Sequence, residues 1–118
     1  MGLEVLEFLV DSISPDGLVI GCNGDRDIPV GTTFTAIMRS RVHQKSDGYH
    51  TEELGEVGQI ALTLSGVQWF QRTIDHGPRG HSAGLTVTGD GLELLARLLR
   101  DLPRHDYLTL IAPENKDP

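Results

Sequence analysis

The order of apolar and polar residues along the chain predicts a succession of short strands. From residue 3 to residue 13 the two kinds alternate. Leu6, Phe8 and Val10 fall on one side and Glu7 and Asp11 on the other, the period of a half-buried strand. Ser14, Pro15, Asp16 and Gly17 predict a turn, since proline fixes its own φ and glycine accepts the positive φ that often follows. A second strand is expected with Leu18, Ile20 and Cys22 inward, broken by Asn23, Gly24 and Asp25. Residues 27–31 lead into a third, in which Phe34, Ala36 and Met38 alternate with Thr33, Thr35 and Ile37.

Residues 43–58 are polar and contain a Ser-Asp-Gly turn signal, which predicts a long exposed hairpin or loop without a core. Ile60, Leu62 and Leu64 restart the alternation, and Gly66 marks a bulge or bend before Trp69 and Phe70. Residues 75–80 read as a tight irregular loop and residues 84–88 as another short strand. The period changes once. Leu92, Leu95, Leu98, Leu99 and Leu102 recur at three- and four-residue steps while Glu93, Arg97, Arg100 and Asp101 face away, predicting a helix over 91–102 with Asp90 as N-cap and Pro103 as its stop. A last strand over 107–112 precedes a charged tail at 113–118. The expected inward set is Leu6, Phe8, Val10, Leu18, Ile20, Phe34, Met38, Ile60, Leu62, Leu64, Leu85, Val87, Leu108 and Leu110, one core in a single domain over residues 1–112.

A chain of 118 residues has room for only one such core. Fourteen glycines with 5% aromatics fit a fold of many turns and few large anchors, all-β with one short helix. Ten Lys and Arg against 17 Asp and Glu leave a net charge of −7, the wrong sign for a protein whose affinity comes from neutralising phosphates. A single cysteine, Cys22, excludes an internal disulfide, and residues 1–14 lack a basic start followed by a long apolar run. A cytoplasmic protein without a membrane segment is therefore expected.

Two stretches carry a resemblance. One is residues 11–21 (Asp-Ser-Ile-Ser-Pro-Asp-Gly-Leu-Val-Ile-Gly), leading to Ile28-Pro-Val-Gly31; the other is residues 64–89, with Ser-Gly-Val-Gln-Trp-Phe and, further on, Asp-His-Gly-Pro-Arg-Gly-His-Ser-Ala-Gly-Leu. Taken together, over residues 5–89, they resemble the second domain of elongation factor Tu and related translation GTPases. The resemblance implies a small closed Greek-key β-barrel, with corners at glycines such as Gly17, Gly31, Gly66 and Gly89. No Gly-x-x-x-x-Gly-Lys-Ser/Thr segment is present to cradle phosphates, so no GTP binding by this chain itself is expected. In the family this barrel also helps hold the aminoacyl end of charged tRNA. At the matching positions the chain carries Asp11 for a usual aromatic, Asp16 for a basic residue, Gln68 for Glu, and His81-Ser82 for a Glu-Asn pair. Asp16 would repel a phosphate rather than bind it. These five residues form the candidate binding site, expected to converge on one polar, acidic rim suited to an amine, a guanidinium or a basic loop.

Catalytic chemistry finds little footing. His76 and His81 flank a Gly-Pro-Arg-Gly loop, but no Cys, Asp or Glu completes a metal set, and His43, His50 and His105 read as ordinary loop histidines; no metal and no cofactor are expected. Cys22, beside Ile20 on an expected inward face, reads as a buried inert thiol, and Ser14, Ser65 and Ser82 lack a nucleophile elbow, so an enzyme is not expected. Trp69 reads equally as an exposed anchor or as core. Glu52, Glu53 and Glu56 form a solvated run able to steer a basic partner. The expected function is a non-catalytic binding module for a protein partner, either a translation component or, in a toxin-neutralising (immunity) role, a toxin. The alternative is an RNA-end binding domain of the aminoacyl-tRNA kind, which Asp11 and Asp16 disfavour unless Arg39, Arg41 or Arg72 compensates.

Overall fold

The computed structural model describes residues 5–23, 28–46, 48–69, 72–74, 76–77 and 82–113. Along the chain come β1 (Val5–Ile13), β2 (Val19–Asn23), β3 (Ile28–Pro29), β4 (Thr33–Lys45), β5 (Gly48–Trp69), β6 (Arg72–Ile74), β7 (His76–Gly77), β8 (Ser82–Asp90), α1 (Leu92–Arg100) and β9 (Asp106–Pro113). Six strands close a ring in the order β1-β2-β8-β5-β4-β9 and back to β1, each neighbouring pair antiparallel. The described residues are thus mostly β with one helix, and the main sheet is barrel-like. Closing the ring pairs edges that would otherwise stand open to other chains.

β5 joins the two halves of the ring by its length. On one edge Ala61–Gln68 pairs β8; on the other, Gly48–Thr63 pairs β4 and Val67–Trp69 pairs β6. The outer parts of β4 and β5 run on past the ring as the exposed hairpin expected at residues 43–58, with Tyr49 at its tip 76% exposed. β3 and β7 form a separate two-stranded ribbon, so His76 and Gly77 pair with Ile28 and Pro29 inside the stretch read as an irregular loop. Asp75 and residues 78–80 lie outside the described residues, as do Phe70, His81 and the tail from residue 114.

Ten of the expected inward residues are buried: Leu6, Phe8, Val10, Phe34, Ile60, Leu62, Leu64, Leu85, Leu108 and Leu110. Gly66 marks a bulge as expected, and the register shift between Leu64 and Gly66 turns Val67 into the core. β2 is the main correction. Val19, Gly21 and Asn23 face inward, while Leu18, Ile20 and Cys22 are only half-buried on the other side. The cause lies in the neighbouring strand. Phe8 and Leu9 occupy the space beside Gly21, where a Cβ would overlap the Leu9 carbonyl and come within 2.9 Å of the Phe8 ring. Only a residue without a side chain fits inward at that point.

β4 departs from its expected phase for a related reason. Its register with β5 shifts between Phe34 and Ala36, and beyond that point Ile37 lies in the core and Met38 is left half-buried. Val87 is likewise only half-buried, packed against the core from its margin.

α1 is shorter than the 91–102 expected. Asp90 ends β8 rather than capping the helix; the N-cap is Gly91, at φ 121° and without a side-chain cap. A Cβ at Gly91 would run into Ile60, so the sharp strand-to-helix corner requires glycine. Leu95 is fully buried, and Leu92, Leu94, Leu98, Leu99 and Leu102 pack partly buried on the core, with Leu94 against Gly58. The stripe therefore covers the domain's own interior. Leu95→Ala is expected to lower stability by about 2–5 kcal/mol and Leu98→Ala by clearly less, read from urea unfolding followed by circular dichroism.

Candidate binding site

A bulge in β1 shapes the outer wall. Pairing with β2 passes from Val10↔Gly21 to Ser12↔Ile20, leaving Asp11 as the extra residue. Beside it opens a cleft of about 220 Å³ lined by Leu9, Val10, Asp11, Ile20, Gly21, Cys22 and Tyr107. Leu9 is 37% and Tyr107 41% exposed, and Asp11 is exposed with its Oδ2 accepting a 3.4 Å hydrogen bond from Ser12 Oγ. The result is a mainly apolar recess with one carboxylate at its edge, a shape that suits a side chain combining an apolar stem with a cationic head. Cys22, read from sequence as a buried thiol, lines this recess half-buried instead.

Of the five candidate residues, Asp11 lines the cleft. Asp16 is exposed in the expected turn, where Gly17 N–H donates to the Ser14 carbonyl at 2.9 Å and Ser14 Oγ donates to Asp16 Oδ1 at 3.3 Å. Gln68 is exposed on β5 opposite Gly84, and Ser82 stands opposite Cys22 on β8. His81 lies outside the described residues, as do the side chains of Ser82 and Trp69. The strands β1, β2, β8 and β5 are successive neighbours, so Asp11 and Gln68 share a wall but sit three strand spacings apart, about 14 Å.

Sequence reasoning passed over Leu9 and Tyr107 as site residues. The signal was available in Leu9, an apolar residue at the polar phase of β1, between Glu7 and Asp11.

A second cluster stands on the opposite face of β4. The Asp106 side chain is fully buried and accepts from Arg39 Nε at 2.7 Å, from Arg41 Nε at 2.7 Å and from Arg41 Nη2 at 3.1 Å, with Arg39 Nη2 also in contact. The Arg41 hydrogen bonds, reinforced by Arg39 and opposed by burial, hold the Asp106 carboxyl down from 3.8 to about 2. The same bond to Asp106 raises Arg41 above its ordinary value. Two of the three arginines considered as compensators for an acidic rim, Arg39 and Arg41, are thus engaged elsewhere, and the Arg72 side chain lies outside the described residues. Further out on the arm, His43 Nε2 lies 2.8 Å from Glu52 Oε1, and the His43 and His50 rings stack at 6.2 Å.

Among the described residues no group of three His, Cys, Asp or Glu side chains could hold a metal ion, and no helix is long and apolar enough to cross a membrane. No protein-family model, curated protein or solved structure matches the chain at a significant level.

Proposed function

We propose that this chain is a non-catalytic binding module that takes a protein partner at the cleft beside Asp11, and that its ring is a Greek-key barrel related to the second domain of elongation factor Tu. Support for the Greek key comes from strand order: β4, β5 and β8 lie side by side in chain order, and β9 returns through α1 to lie against β4. The binding reading rests on the cleft itself, an exposed carboxylate set among Leu9, Ile20 and Tyr107. The partner classes are a translation component or, in an immunity role, a toxin. Engagement of Arg39 and Arg41 by Asp106 weighs against RNA-end binding, because it withdraws two cations that could have met a phosphate.

The single cysteine gives the test a handle. A photo-crosslinker attached at Cys22 is expected to capture a protein from cell extract, with recovery insensitive to nuclease and reduced roughly tenfold by Asp11→Lys. Recovery unchanged by Asp11→Lys removes the cleft as the site. Nuclease-sensitive capture of charged tRNA, falling steeply with salt, replaces the protein reading with the RNA one.

A further inference from the structure

Strand register extends the cleft into a much larger surface. One row across the outer wall reads Glu56↔Met38↔Thr109↔Leu9↔Cys22, through β5, β4, β9, β1 and β2. The next begins Glu53↔Ser40↔Tyr107 and meets Asp11 and Ile20 in the cleft. Glu7 and Asp11 occupy the outward positions of β1 on either side of Leu9. Between two carboxylate borders, Glu53 and Glu56 on β5 and Glu7 and Asp11 on β1, the wall presents Met38 and Ser40 on β4, Thr109 and Tyr107 on β9, and Leu9 between the two β1 carboxylates. Neither row contains a lysine or arginine. Alternation along β4 sends Met38 and Ser40 to this wall, and sends Arg39 and Arg41 to the other side, where Asp106 holds them.

We propose that this wall docks a basic amphipathic α-helix of the partner, laid along the strands with its apolar face over Met38, Leu9 and Tyr107 and with lysines or arginines reaching both borders. The inference rests on the protein-binding reading above and names the occupant. Dimensions select a helix: β5 and β1 are three strand spacings apart in the ring order β5-β4-β9-β1, about 14 Å, and a helix with its side chains is about 10–12 Å across. A single extended segment would reach one border and leave the other without a counter-charge. Charge selects a basic one, since the borders present four carboxylates and their rows no cation.

The probe is a fluorescein-labelled 18-residue peptide of leucine and lysine in amphipathic helical order, with a leucine-glutamate peptide as counterpart, followed by anisotropy. The lysine peptide is expected to bind and the glutamate peptide not to bind. Glu53→Gln with Glu56→Gln is expected to weaken binding at least tenfold, Leu9→Asp to do the same, and Glu93→Gln with Asp101→Asn, which removes one carboxylate on α1 and one at its C-cap, to leave it unchanged. Amide shifts in a nuclear magnetic resonance titration are expected at Leu9, Met38 and Thr109. Equal loss from the α1 pair, or shifts centred elsewhere, overturns the proposal. Weakening by Asp11→Ala with no effect of the Glu53 and Glu56 pair keeps the cleft and overturns the helix; indifference to both overturns the two readings together.

Discussion

Gly21→Ala is expected to lower the urea midpoint of the ring sharply. Gly21 is not among the glycines at positive φ, so the cost is steric rather than conformational. The new methyl would overlap the Leu9 carbonyl and press on the Phe8 ring, and it could be relieved only by parting β1 from β2 at Val10↔Gly21 and Leu9↔Cys22. Backbone yields less readily than a side-chain tip. The loss is expected to reach on the order of 3–5 kcal/mol, a large share of the stability of a small domain. Gly66→Ala is the matched control: its nearest neighbour would be Thr86 at 3.8 Å, and a change within about 1 kcal/mol is expected. Urea unfolding of both variants decides the matter. Equal midpoints would mean that β2 sits in the opposite phase, with Leu18, Ile20 and Cys22 inward after all.

The next largest effect belongs to Asp106. Its folded carboxyl ionises at about 2 against an ordinary 3.8, so its stabilising contribution is complete above 3.8 and is lost as the pH falls through about 2. Urea midpoints measured from neutral pH downward are expected to show this as an acid limb in the wild type. Asp106→Asn is expected to start lower at neutral pH, because two guanidiniums lose their shared negative charge and one of its two acceptor oxygens becomes a donor, and to meet the wild type near the acid end. The difference between the two curves isolates Asp106 from the other carboxylates. Parallel curves would show that the arginine pair adds nothing to the fold.

What the sequence made legible follows from how many signals agreed at each place. β1 was readable because alternation, a following turn and flanking charge pointed the same way; α1 was readable because five leucines share one helical face. β2 was misread because two of its three inward positions, Gly21 and Asn23, carry no large apolar side chain, whereas the outward set does. Counting hydrophobicity ranks Ile20 above Gly21, but packing against Phe8 reverses the order. An irregularity had the same effect in β4, where the register shift between Phe34 and Ala36 reset the phase. The site was only partly legible. Asp11 came from the resemblance, yet the cleft needs Tyr107, from the far end of the chain, and nothing in local pattern links β1 to β9.

That last pairing also bears on how the chain reaches its fold. β9 enters the ring between β1 and β4, pairing Leu6 with Ala112 and Ile37 with Leu110. The β4–β5 hairpin can zip locally, but the ring closes only across a sequence separation of about a hundred residues, a costly loop closure that places this domain among slow folders. Until residues 106–113 arrive, β1 and β4 each present an unpaired edge, and Leu108, Leu110 and Ala112 are missing from the core. During synthesis the chain therefore passes through a stage with two open edges, and its exposure to misassociation at that stage is governed by the arrival of β9 rather than by the stability of the finished barrel.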